Sequence, residues 1–248
     1  MNHTHSSTKE YDAIIVGAGF SGLYQLICLR DQLGLNCLVL ETGDDVGGTW
    51  YWNRYPGARC DTESHAYSYY FSDELLKEWT WSERYPGHEE IREYMNFVAS
   101  KFDLKKDILF KQKVTSAKFI EDSNNWYVTT DNNNFKCKFL ITAVGCLSNT
   151  NIPKIKGLED FEGSYYHTGN WPKDGVSFVN KTVGQIGTGS TGIQAVPVIA
   201  AEAKHLTVFQ RTANYSIPAR HKPLTEEFKN HVKENFQFYK NLLKRTPN

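Results

Sequence analysis

Two glycine-rich turns, each set between a short apolar strand and a helix, constrain this chain more than any other feature. The first is Gly17-Ala18-Gly19-Phe20-Ser21-Gly22. It follows the unbroken apolar run Ala13-Ile14-Ile15-Val16 and leads into a helical pattern with Leu23, Leu26, Ile27 and Leu33 on one side. Cys37-Leu38-Val39-Leu40 then repeats the apolar run and ends at Glu41. Runs of this kind suit parallel strands covered on both faces. Strand, turn, helix and strand within about thirty residues is the setting in which G-x-G-x-x-G marks a dinucleotide-binding unit.

Each position has a physical role. Gly17 permits the tight turn, Gly19 lets backbone approach a pyrophosphate, and Gly22 lets helix and strand pack closely. The helix N-terminus offers N–H groups and a positive dipole end to phosphates. Glu41, nineteen residues after Gly22, is placed to accept hydrogen bonds from ribose hydroxyls.

The pattern returns after Val183-Gly184-Gln185-Ile186 as Gly187-Thr188-Gly189-Ser190-Thr191-Gly192. A helix carries Ile193, Val196, Ile199 and Ala200, and Pro197 should loosen or bend it. The next strand is Leu206 to Arg211. Arg211 also lies nineteen residues after its last glycine, so counting puts it in the slot that Glu41 fills. A guanidinium there would bind a 2′-phosphate that a carboxylate would repel, and Thr212 adds a hydroxyl. The first site therefore suits an unphosphorylated ribose and the second suits NADP. Two such sites on one chain suggest relay of electrons from NADPH to a bound flavin.

Composition narrows the class. The 248 residues carry 28 basic and 28 acidic side chains, which gives no pull toward nucleic acid or an anionic membrane. No run approaches the roughly 18 apolar residues of a spanning helix. The start, MNHTHSSTKEYD, has no apolar core and reads as a flexible tail over residues 1–10. His3 and His5 could grip a metal, but nothing nearby would fix ligand geometry. No other pattern points to a metal. The five cysteines form no C-x-x-C pair. Cys28, Cys37 and Cys137 lie in apolar segments and read as core, which fits a reduced, cytoplasmic setting. Cys60 stands alone, which argues against a disulfide reductase.

After the first unit, Asp44 to Asp61 is dense in glycine and aromatics. Gly47 and Gly48 would let backbone pass close to a ligand. Trp50, Tyr51 and Trp52 could wall a flat ring system, and Arg59 and Asp61 bring opposite charges into the same loop. An aromatic core with a surface ion pair explains the composition equally well. Glu89 to Phe102 reads as a helix, and Lys113 to Thr130 as strands of a meander turning at Asp131 to Asn134. Phe139 to Gly145 reads as another buried strand. Thr225 should cap a helix opening with Glu226 and Glu227 and carrying Phe228, Val232, Phe236, Tyr239 and Leu243 on one face.

The remaining stretch, FEGSYYHTGNWP, fits F-x-G-x-x-x-H-x-x-x-W through Phe161, Gly163, His167 and Trp171. With its two flanking glycine loops it resembles the fingerprint of type I Baeyer–Villiger monooxygenases. The runs GGTWYWNRYPGARCDTES and FQRTANYSIPAR resemble the same group. The resemblance implies an α/β chain with two Rossmann-like dinucleotide-binding units in a three-layer sandwich, the second unit incomplete. It implies FAD, NADPH and O2, and insertion of one oxygen atom next to a ketone carbonyl through a C4a-peroxyflavin, giving an ester or lactone. FAD would be met by Ser21, Glu41, Gly48, Thr49, Trp50, Tyr51, Trp52, Asp61 and Tyr67. Thr188 to Gln194, with Arg211 and Thr212, would hold NADP. Arg59 and Asp61 would lie on the nicotinamide side. His167 and Trp171 would position the domains for closure, since a lone histidine amid aromatics reads as a packed, hydrogen-bonded residue. A ketone is the small-molecule partner implied; nucleic acid and membrane are not. The related monooxygenases that oxygenate nitrogen or sulfur usually carry tyrosine or phenylalanine where Trp171 stands.

The resemblance also implies a layout. Residues 11–150 would be FAD-binding, 151–180 a linker with the fingerprint, 181–223 the start of the NADP domain, and 224–248 the start of a helical insertion. Members of the family exceed five hundred residues and supply an active-site arginine from their later half. The chain is thus expected to be the N-terminal half of such an enzyme, inactive alone or a plain nucleotide-binding fragment.

Overall fold

The structure, a computed structural model, describes residues 8–245, with side chains as far as Leu242. His3 and His5 lie outside the described residues, as does the side chain of Leu243. In chain order the elements begin with β1 (Lys9–Val16), α1 (Phe20–Leu26), β2 (Cys37–Leu40), α2 (Thr49–Trp52), α3 (Asp73–Glu78) and α4 (His88–Lys101). There follow β3 (Ile108–Leu109), β4 (Val114–Ile120), β5 (Asn125–Thr130) and β6 (Asn134–Thr142). The last are β7 (Thr182–Ile186), α5 (Ser190–Glu202), β8 (His205–Phe209), α6 (Glu226–Glu234) and α7 (Phe236–Arg245). Among the described residues no helix is long and apolar enough to cross a membrane.

The chain divides into two compact units. One takes the chain up to Trp52 with Arg92–Asn151; the other takes Asn53–Ile91 with the chain from Ile152 onward. The result is an α/β protein, as the two strand–turn–helix repeats require.

The first unit is built on a six-stranded sheet in the order β3-β2-β1-β6-β5-β4. Strands β3, β2, β1 and β6 run parallel, and β5 and β4 close the sheet as an antiparallel meander. The apolar run of β1 is central, and Ala13, Ile14 and Ile15 have no exposed surface. Strand alternation sends Ile14 into a core with Leu38, Leu40, Val128, Phe135 and Cys137. Ala13, Ile15 and Val39 are buried on the opposite face. Burying side chains of this size contributes about 1.5–3 kcal/mol each, so the central strands anchor the glycine turn that follows β1.

Four expectations for this unit need correction. Leu33 is 66% exposed. Residues Ile27–Gln32 form a π-helical turn, in which Leu33 N–H donates to the Cys28 carbonyl at 3.2 Å. The wider turn rotates the face away from that of Leu23 and Leu26. Phe139 and Val144 are 57% and 51% exposed, so β6 pairs with β1 without being covered on both faces. Cys28 is half-buried, unlike Cys37 and Cys137. The predicted helix over Glu89–Phe102 begins and ends one residue earlier.

The second unit holds the parallel pair β7–β8 with α5. Its core gathers Tyr55, Ala58, Phe178, Ala195 and Ile199, with Trp171, Val183 and Leu206 packed around them. Ile193 and Ala200 are exposed, so the buried stripe of α5 runs through Ala195 and Ile199 instead. Helix α5 runs through the exposed Pro197. The helix expected from Thr225 is capped as predicted, Thr225 Oγ1 accepting from Phe228 N at 3.2 Å. It breaks at Asn235 into α6 and α7.

Candidate functional site

The first glycine loop fits its sequence tightly. Gly17 has φ +106°, and a Cβ there would lie 2.5 Å from the Ala143 carbonyl oxygen. At Gly22 a Cβ would sit 1.8 Å from the Gly17 carbonyl oxygen, which is the helix-on-strand packing that glycine permits. Gly19 crosses Gly48 so closely that its Cβ would lie 3.3 Å from the Gly48 Cα. Gly19 also caps α1 without a side-chain bond. A cap with no side chain of its own suits close approach of a phosphate.

Glu41 is only 5% exposed. Its Oε2 accepts from Ala18 N and its Oε1 from Gly43 N, both at 2.7 Å. It therefore ties the glycine loop to the segment after β2. Each oxygen retains a lone pair for a ribose hydroxyl. This suits an unphosphorylated ribose at the first loop.

The segment from Asp44 to Trp52 is held by a polar cluster that sequence reading missed. Asp45 Oδ1 receives Lys105 Nζ and Val46 N, both at 2.8 Å, and its Oδ2 receives Asn96 Nδ2 at 3.1 Å. Burial opposes ionisation of Asp45, but these bonds outweigh it and hold its carboxyl below the usual range. Lys105 and Asn96 are far from Asp45 in sequence, so no local pattern points to them. Of the three aromatics, Tyr51 is buried, donates its hydroxyl to Asp44 Oδ1 at 2.6 Å, and lies beneath the Arg92 guanidinium. Tyr51 thus also packs this loop. Trp50 is half-buried and Trp52 is 37% exposed. Thr49 opens α2 and Ser21 is exposed on α1.

The second loop repeats the first in backbone. Gly187 has φ +105°, and Gly192 would place a Cβ 2.5 Å from the Gly187 carbonyl oxygen. A Cβ on Gly187 or Gly189 would meet nothing within 4 Å, which leaves room for a ligand at the turn. Gln185 Nε2 donates to the carbonyls of Gly187 and Gly192, both at 3.1 Å. Ser190 and Thr191 open α5, and Gly189 caps it without a side-chain bond.

The strand register corrects the placing of Arg211. Val16 pairs with Leu40, and Ile186 pairs with Phe209. Gly17 N donates to the Leu40 carbonyl and Gly187 N to the Phe209 carbonyl, each at 2.9 Å. The residue after the strand is Glu41 in the first unit and Gln210 in the second. Counting from the last glycine failed because the second helix–loop passage is one residue shorter. Arg211 is the next residue along, and both it and Thr212 are exposed.

Arg59 sits in a network of its own. Its Nη1 donates to His221 Nε2 at 2.6 Å and lies 3.7 Å from Glu83 Oε2. Asp61 is exposed, and the ion-pair partner of Arg59 is Glu83, not Asp61 as the loop's composition suggests. Burial, then the Arg59 charge, lowers the pKa of His221 against the pull of Glu83. Gln194, on the second turn of α5, fixes the loop's backbone. Its Oε1 accepts from Tyr55 Oη at 2.8 Å and Arg59 N at 3.2 Å, and its Nε2 donates to the Arg59 carbonyl at 3.1 Å. Tyr67 follows a short 3-10 turn and is half-buried. His167 accepts from Gly169 N at 3.0 Å through Nδ1, capping the turn Thr168–Asn170. Trp171 lies between Tyr166 and Phe178 in tilted ring contacts, with centroids at 5.7 and 6.1 Å.

Comparison with known proteins places the chain in one family. A family described as FMO-like, flavin-binding monooxygenase-like, matches residues 11–231. A cyclohexanone 1,2-monooxygenase from Acinetobacter sp is 47% identical over 232 residues, covering 93% of this chain and 42% of that protein. A Baeyer-Villiger monooxygenase from Pseudooceanicola batsensis is 49% identical over 228 residues, covering 90% of this chain and 42% of its own length. The solved structure of an oxidized steroid monooxygenase bound to NADP superposes with a TM-score of 0.90 at 50% identity, covering 95% of this chain and 45% of that one. The chain thus spans about two-fifths of the length of the curated relatives it matches, at 42% in both.

Proposed function

Since the chain belongs to the flavin-binding monooxygenase-like family, we propose that it is the nucleotide-binding part of a Baeyer–Villiger monooxygenase acting in the cytoplasm. The overall change is ketone, O2, NADPH and a proton to ester or lactone, water and NADP+. FAD, when bound, supplies the two-electron carrier that accepts hydride from NADPH and activates O2. The chain's own residues bind and orient. Gly17, Gly19 and Gly22 give a phosphate access to the backbone of the first loop, with Ser21 beside it. Gly48, Thr49, Trp50 and Trp52 flank that loop, and Glu41 takes the ribose hydroxyls. Gly187, Thr188, Gly189, Ser190, Thr191 and Gly192 receive the second nucleotide, and Arg211 and Thr212 reach for its 2′-phosphate. Arg59, Asp61 and Tyr67 are assigned to the nicotinamide side, with His167 and Trp171 holding the fingerprint segment in place.

One observation carries the reading: two glycine loops close by the same 2.9 Å bond, one followed by an acid and the other by an amide and an arginine. An acid suits FAD's free ribose; an uncharged slot beside a cation suits NADP. The test is equilibrium binding of NADPH and NADH to the FAD-loaded protein, followed by nicotinamide fluorescence. NADPH should bind at least tenfold tighter than NADH. Equal affinities, or no binding of either, would sink the proposal.

A further inference from the structure

We propose that the second unit carries a binding site, outside both glycine loops, for a small carboxylate with a short apolar chain. Ser64 and Lys222 hold the carboxylate, and the chain lies along Leu224 and Phe228. These residues all fall within Asn53–Ile91 or beyond Ile152.

Backbone bonds fix the walls. The segment around Arg84 runs between two others. Ser64 N donates to the Arg84 carbonyl at 2.8 Å, Arg84 N to the Lys222 carbonyl at 3.0 Å, and Leu224 N to the Ser82 carbonyl at 2.8 Å. Thr225 then caps α6, which brings Phe228 against the His65 ring, with centroids 6.0 Å apart. These segments border a cavity of about 330 Å³, at the lower end of the range for small-molecule sites. A second cavity of about 50 Å³ shares Ser64, His65, Leu224 and Phe228 with it, and adds Trp81 and Leu75 to its walls. An apolar cavity of about 150 Å³ takes benzene, so this smaller one receives only the end of a short alkyl chain.

One buried group lacks what a ligand would supply. Ser64 is 1% exposed, and its Oγ has no hydrogen-bond partner among the described residues. A buried hydroxyl left unmatched costs stability, so an oxygen that reaches it is favoured. Charge decides the sign of the ligand. Arg84 Nε donates to Glu63 Oε1 at 3.0 Å and Nη2 to the same oxygen, so that pair cancels. Burial lowers the pKa of His65, which leaves its ring neutral at pH 7. Lys222 is exposed, and its ammonium has neither an ion pair nor a hydrogen bond among the described residues. Thr225 Oγ1 accepts from Phe228 N and keeps its own proton to donate. One uncompensated cation and two hydroxyl donors suit a head that only accepts and carries negative charge. A carboxylate is both, and the apolar surface of Leu224 and Phe228 selects one with a hydrocarbon chain.

The experiment is calorimetric titration of the chain with hexanoate and with its neutral counterpart hexanamide, in excess FAD and NADP+ so that the glycine loops are not the sites measured. The unaltered protein is compared with Lys222→Gln and Ser64→Ala. Hexanoate should bind with a Kd below about 1 mM, within reach of a ligand of this size, and hexanamide at least about tenfold more weakly. Lys222→Gln should weaken hexanoate by about fivefold or more and leave hexanamide within about twofold, since only the charge is lost. Ser64→Ala should weaken both by about 3–10-fold, the value of one hydrogen bond. It should not lower the melting temperature of the free chain, because the hydroxyl removed has no partner there. Hexanoate that fails to saturate by about 10 mM would overturn the proposal, leaving Ser64 to a water molecule. So would equal affinities for hexanoate and hexanamide, affinities in both variants within about twofold of the unaltered protein, or binding seen only when FAD and NADP+ are left out.

Discussion

Glu41 is a structural residue of the first loop before any nucleotide arrives, and Glu41→Gln measures how much. The carboxylate is 5% exposed and receives Ala18 N and Gly43 N at 2.7 Å, one on each oxygen. Glutamine keeps the size but offers one oxygen and one NH2. One backbone N–H must then face another donor, and the retained bond loses its charge. A charge-assisted bond contributes about 1.5–3 kcal/mol and a buried unmatched donor costs about 1–3 kcal/mol. The combined loss should be about 2–4 kcal/mol. At about 3–4 °C per kcal/mol for a unit of this size, the melting temperature should fall by about 6–16 °C. The assay is thermal unfolding at neutral pH without nucleotide. Glu41→Asp, one methylene shorter, should lose at least one of the two bonds and also melt early. A Glu41→Gln midpoint within about 2 °C of the unaltered protein, with FAD binding abolished, would refute the reasoning and leave Glu41 a ligand contact alone.

Gly57 has φ +77°, and a Cβ there would lie 2.3 Å from the Gln194 carbonyl oxygen; Gly57→Ala should destabilise the protein by about 2–4 kcal/mol in urea unfolding. Gln194→Met removes all three bonds to Tyr55 and Arg59, so the Arg59 amide should exchange with solvent about tenfold faster or more, as hydrogen-exchange NMR or mass spectrometry would show. The pKa values of His65 and His221 lie below the ordinary 6.5, burial being the first cause for each. Their neutral forms favour the fold, so this contribution is present above about pH 6.5 and lost as pH falls through the lowered values. His221→Asn should flatten that acid-side loss in denaturant midpoints measured from pH 7 to 5, and an unchanged slope would count against it.

Much of this was legible in the sequence because it depends on local backbone demands. Gly17, Gly22 and Gly192 stand where a side chain would overlap backbone, and sequence spacing alone locates them. Thr225 caps its helix because a hydroxyl at that position meets the N–H three residues on. What was not legible depends on long-range pairing. The Gln210 slot depends on the register Ile186↔Phe209, which a one-residue shortening hides from any count. The Asp45 cluster draws on Lys105 and Asn96, and the Arg59 network draws on Glu83, Gln194 and His221, none of them near in sequence. Leu33 turned outward because a π-helical turn broke the 3.6-residue period on which its placement relied. Tyr51 read as a candidate ring wall, and its bond to Asp44 and the burial of its ring add a packing role that the sequence did not show.

The central claim is that the first glycine loop holds FAD. Its most direct test is the flavin content of the purified chain after incubation with excess FAD and gel filtration, read as absorbance near the flavin band against protein concentration. The account predicts close to one flavin per chain, and a lowered ratio for Gly19→Val, whose side chain would fill the backbone crossing at Gly48. A colourless, folded protein eluting free of flavin would contradict it.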